Sequence, residues 1–141
     1  MNLPAPASHV LPAAITVEVA PGELIDKITI LEIKAERIAD RAKRANVERE
    51  LAVLRAARDG AIAPDVRLAR LTTALKAVNL KLWEIEDEIR ACERSREFGG
   101  TFVELARAVY RTNDRRALLK REINDHLGST IVEEKSYVRY D

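Results

Sequence analysis

Residues 65–92 read DVRLARLTTALKAVNLKLWEIEDEIRAC, and this stretch decides the fold. Leu68, Leu71, Leu75, Val78, Leu82, Ile85, Ile89 and Cys92 recur at alternating spacings of three and four, without a fault. A repeat of about 3.5 residues sustained over several heptads predicts a long helix with left-handed, coiled-coil-like packing. Asp65, just after Pro64, stands where an N-cap belongs. The helix is expected over about 65–96, ending before Gly99-Gly100.

Working outward, a second helix is expected upstream, over about 22–58. Pro21-Gly22 punctuates its start, and Glu23 and Asp26 place acids in its first turn, where they complement the helix dipole. Its apolar seam runs Leu24, Ile28, Leu31, Ala35, Ile38, Ala42, then slips to Val47, Leu51 and Leu54. Downstream, a third helix is expected over about 101–127. Thr101 and Glu104 have capping-box spacing, and Gly128 suits the position just past the helix end. Thr112-Asn113-Asp114 interrupts its apolar face of Phe102, Ala106, Val109, Leu119, Ile123 and Leu127. Either Asn113 caps a further helix or the polar patch is buried in a continuous one; the continuous helix is the reading adopted. Short connections make consecutive helices antiparallel neighbours. The fold expected is all-α: an elongated antiparallel three-helix bundle forming one domain over 15–141. Residues 1–14, with Pro4, Pro6 and Pro12, read as a flexible tail. Ile15, Val17 and Val19 alternate as a short strand does. The segment 129–141 can either pair with that strand as a two-stranded element or lie on the bundle.

Composition agrees. The chain has 141 residues, 47% hydrophobic and 33% charged, with five glycines and five prolines, which excludes disorder throughout and a turn-rich β-barrel. Twenty-four basic against 23 acidic side chains give a net charge of +1, so a polycation coating nucleic acid is not indicated. No apolar run reaches membrane-spanning length and the N-terminus lacks a secretory pattern, so the expectation is a cytoplasmic protein without membrane insertion. Cys92 continues the apolar seam and reads as a core thiol. His9 and His126 stand apart, and no phosphate-cradling loop, paired-cysteine motif or catalytic signature occurs; no metal or cofactor is expected. The ladder Arg107, Arg111, Arg115 reads as a solvated face, and nucleic-acid binding lacks interleaved aromatics.

A polar stripe runs beside the seam of residues 65–96: Thr72, Lys76, Asn79, Trp83, Glu86 and Arg90. The third helix offers Tyr110, Asn113 and Lys120 at matching spacing, and the first offers Asp26, Ile33 and Arg37. If these stripes face one another, Arg37, Arg90 and Lys120 would hold anionic groups of a small or sugar-like ligand. Asn79 and Asn113 would add amides, Trp83 and Tyr110 walls, and Glu86 the one plausible acid/base. Otherwise they are boundary positions, with Glu86–Arg90 an ordinary i,i+4 pair. The primary function expected is a helical interaction module that forms a homodimer through surplus seam; the pocket is the alternative.

Several strings are more distinctive than a bundle requires: GELIDKITILEIK (22–34), NLKLWEIEDEIR (79–90), LARAVY (105–110) with Asn113-Asp114, KREIN (120–124) and EEKSY (133–137). Together, over about 15–140, they resemble a bacterial family catalogued only as a domain of unknown function. That resemblance implies a stand-alone helical domain associated with glycosyltransferase and tetratricopeptide proteins of surface-polysaccharide pathways. Ile25-Asp26-Lys27-Ile28 and Glu36-Arg37 are also similar to the opening helix of the all-helical chorismate mutases, with Arg37 and Arg49-Glu50 matching family positions. The chain departs from that pattern: the family's early arginine falls on Ala20, and there is no glutamine.

Overall fold

The structure is a computed structural model and describes Leu3 and residues 14–141. The expected tail over 1–14 thus lies outside the described residues, apart from Leu3 and Ala14. Four helices follow one another: α1 (Pro21–Arg37), α2 (Arg41–Ala61), α3 (Val66–Ser95) and α4 (Gly100–His126). The protein is all-α, and no strand occurs among the described residues.

The long first helix expected over 22–58 is two helices. The chain breaks at Ile38–Asp40, where the Asp40 side chain accepts the Lys43 N–H at 2.9 Å and caps α2. Arg44 donates from Nε and Nη2 to the Ile38 carbonyl at 3.0 and 2.8 Å, closing the turn. The slip of the seam after Ala42 has its physical cause here. Folding back brings Val47, Leu51 and Leu54 against Leu24, Ile28 and Leu31, which buries apolar surface that a straight helix would leave wet.

The remaining boundaries agree closely with the spacing. Asp65 caps α3 by accepting the Leu68 N–H at 2.7 Å, and α4 runs unbroken through Thr112-Asn113-Asp114. Gly128 sits just past α4 with φ +67°, a conformation that glycine adopts freely. The capping box expected at Thr101 does not form: the N-cap is Gly99 without a side-chain bond, and Glu104 pairs with Arg107 at 2.8 Å instead. Nor do the terminal segments pair. Ile15 and Val17 stand exposed, whereas the C-terminal segment turns back along α4, held by Glu133 to Lys120 at 2.7 Å and by Tyr140 to Asp114 at 2.6 Å.

α1, α3 and α4 contact one another pairwise, while α2 packs on α1 alone. The three-helix bundle therefore consists of α1, α3 and α4, and α2 is an outer flank. Ile25, Leu68, Leu71, Leu75, Leu119 and Ile123 form its core. Along α3 the seam is covered within the chain: Leu68, Leu71, Leu75, Ile85 and Cys92 are buried, and Val78, Leu82 and Ile89 half-buried. α1 has 17 residues against 30 in α3 and 27 in α4, so the α3–α4 hairpin extends past the end of α1. The crook where α1 stops is the setting of the site.

Candidate functional site

The site starts from a close helix approach. Gly22, in the first turn of α1, donates its N–H to Asn124 Oδ1 on α4 at 2.7 Å, a partner for a helix-end donor that Ala20 cannot cap. This contact sets the two helices so that Asp26, one turn on, meets Arg116. Arg116 donates from Nε to Asp26 Oδ1 at 2.9 Å and from Nη2 to Oδ2, a bidentate pair. Asp26 is 1% exposed. From α3, Asn79 Nδ2 donates to the same Asp26 Oδ1 and to Thr29 Oγ1, both at 2.9 Å, and Thr29 in turn donates to the Asp26 carbonyl at 2.8 Å. Hydrogen bonding to Asp26 holds the Arg116 guanidinium above the usual arginine range. A buried carboxylate without these donors would be costly; with them, the network fixes the orientation of Asn79 and Arg116.

Over this network lies a cleft of about 540 Å³. Its apolar floor comes from Ile30, Ile33 and Leu82. Trp83, Glu86, Asp87 and Arg90 of α3 form one side, Asn113 and Arg116 of α4 the other, with Asn79 between. Five of the eight residues singled out in the sequence therefore converge: Asn79, Trp83, Glu86, Arg90 and Asn113. Three do not line this cleft. Arg37 is exposed and lies 3.6 Å from Glu84. Lys120 is buried between Glu23 and Glu133, both at 2.7 Å. Burial pushes the Lys120 ammonium down, but hydrogen bonds to Glu133 and Glu23 overcome it and hold the group above the ordinary lysine value. Tyr110 faces the next cleft along α4.

Spacing alone missed Arg116, which stands next to Arg115 of the ladder read as a solvated face. Its position one turn from Asn113 was the available signal. Asp26 was seen in its stripe, but not as the group on which the site is built.

A second cleft of about 720 Å³ lies between α4 and the C-terminal segment, and Asn113 borders it as well. Tyr110 and Tyr140 meet edge to face there, ring centres 5.1 Å apart. The hydrogen bond from Tyr140 Oη to Asp114 favours the neutral phenol and raises its pKa. The ladder residues Arg107, Arg111 and Arg115 are exposed, Arg107 being paired to Glu104 on its own helix. Among the described residues no group of three His, Cys, Asp or Glu side chains is placed to hold a metal ion, and no helix is long and apolar enough to cross a membrane.

Fold and cleft define a small all-α domain whose buried Asp–Arg–Asn network underlies a polar inter-helical cleft. The chain belongs to a family of unknown function (DUF6165), whose model matches residues 15–140. No curated protein and no solved structure matches the chain. The match extends to neither glycosyltransferases, tetratricopeptide proteins nor chorismate mutases. On the last, Arg49 and Glu50 are exposed on α2 and do not line this cleft, although Glu50 borders a smaller one with Asp26, Lys34 and Arg116.

Proposed function

We propose that this domain binds a small polyhydroxylated, sugar-like ligand in the cleft between α1, α3 and α4. Asn79 carries the reading. It is 5% exposed, both its amide hydrogens are taken by Asp26 and Thr29, and Oδ1 has no partner among the described residues. No buried side-chain polar atom lacks a partner among the described residues, so this acceptor opens to the cleft, where a ligand hydroxyl can donate to it in place of water. Charge distinguishes a neutral ligand from an anionic one. Arg116 is matched by Asp26, and Arg90 lies 3.7 Å from Glu86, while Asp87 adds a further acid. Hydroxyls, which both donate and accept, suit alternating amides, carboxylates and guanidiniums better than a dianion does. The Trp83 indole supplies an apolar wall for the CH face of a ring. The cleft's volume lies within the range of small-ligand sites, roughly 300–1,000 Å³.

Glu86 is half exposed and ion-paired, so the reading is binding rather than turnover. A sugar-binding role suits a protein working beside surface-polysaccharide enzymes, the context implied by the resemblance. The interaction-module reading draws on the seam of α3, of which Val78, Leu82 and Ile89 are half-buried within the chain.

The test is a thermal-shift screen of monosaccharides, sugar acids and dicarboxylates, with titration of positives against the fluorescence of Trp83, the single tryptophan. Neutral sugars should raise Tm and perturb Trp83 emission, and Arg90→Ala, an exposed change that spares the core, should remove the response. A response confined to dicarboxylates, or one untouched in Arg90→Ala, overturns the proposal.

A further inference from the structure

We infer that the two clefts form one groove for a chain of linked sugar rings, with Asn113 at the junction between subsites. The inference rests on the sugar reading of the first cleft and extends it to the substrate class. The two clefts share Asn113; along α4 Arg116 lines the first and Val109, Tyr110 and Asp114 the second, a span of about 10 Å from 109 to 116 at 1.5 Å per residue. Each has a volume appropriate to one small ligand, about 540 and 720 Å³, so a single ring fills only part of the groove.

Their chemistry repeats. The first offers an indole, carboxylates and a guanidinium: Trp83, Glu86 and Arg90. The second offers phenol rings, a carboxylate and a guanidinium: Tyr137 and Tyr140, Asp114 and Arg139. A ligand made of repeating hydroxylated rings is complementary to a site made of repeating subsites. The second wall exists because the C-terminal segment is tied down at both ends, by Glu133 on Lys120 and by Tyr140 on Asp114. Tyr137 lies between these ties, 78% exposed, its ring bordering the cleft with the Lys135 ammonium 5.6 Å from its centre. Such a ring adds little to folding and is available for stacking.

The experiment applies the full chain to a printed array of glycans one to six units long, followed by calorimetric titration of the best glycan and its truncated forms. Affinity should rise about tenfold or more from one unit to three. Tyr137→Ala should remove that gain while leaving single-unit binding intact, and Tyr137→Trp should restore it. Because Tyr137 is exposed, neither change threatens the fold. Equal affinity for one unit and for longer chains overturns the groove and leaves the first cleft standing. So does a length-dependent gain that Tyr137→Ala does not touch. Binding to no glycan on the array overturns the groove and the sugar reading together.

Discussion

At Gly22 there is no room for one methyl group. A Cβ there would lie 2.5 Å from the Lys120 carbonyl oxygen and 2.8 Å from Asn124 Oδ1. The first of these is backbone, so the helices themselves would have to separate. Alanine improves helix propensity by up to about 1 kcal/mol, yet Gly22→Ala should destabilise by about 1–3 kcal/mol, the usual cost of overpacking. Urea unfolding measures this; a variant as stable as the parent would show that α1 and α4 are not held by this approach. The same contact brings Asp26 to Arg116, so the substitution also disturbs the floor of the cleft. In the sequence Asp26 is simply a first-turn acid that complements a dipole. Nothing local marks it as the carboxylate on which Asn79 and Arg116 meet, because those partners stand 53 and 90 positions away.

Among the elements, the C-terminal segment depends most on ionisation. Its ties are the Lys120 ammonium to Glu133 and the Tyr140 phenol to Asp114. Both groups have folded-state pKa values raised above the ordinary 10.5 and 10.0. A raised value means that the contribution is complete below the unfolded pKa and is lost as pH climbs through the folded one. The segment should therefore hold from neutral pH to about 10 and come away above roughly 10.5. Methyl NMR signals of Ile131, Val132 and Val138, followed from pH 7 to 11.5, should move to mobile-chain positions at the alkaline end only. Release in the neutral range would contradict these ties. Tyr140 is exposed, so its tie adds little to global stability and the core should survive the release. α1 and α2 teach a different lesson. The slipped seam after Ala42 was visible, but a slip is compatible with a bent helix or a hairpin. The apolar area gained by folding Leu51 onto Ile28 and Leu31 favours the hairpin, and that gain exists only in three dimensions.

Across the whole molecule, stability should be uneven. α3 and α4 share the core of Leu71, Leu75, Leu119 and Ile123 with Ile25 of α1, whereas α2 buries only Leu51 and touches α1 alone. Native-state hydrogen exchange should find α2 opening at least about 2 kcal/mol more easily than the middle of α3. Equal protection across all four helices would mean one cooperative unit and a firmer hold on α2 than its packing supplies. The sequence by itself determined the helical class, the faultless seam of α3, the Asp65 cap, the unbroken α4 and the stripe carrying Asn79, Trp83, Glu86 and Arg90. These follow from period and capping, which act over a turn or two of chain. Only the tertiary structure decided the break at Ile38–Asp40, the burial of Asp26 under Arg116, the diversion of Lys120 to Glu23 and Glu133, and the path of the C-terminal segment. Each depends on which surfaces meet, and the energy of such a meeting is divided between residues far apart in the chain.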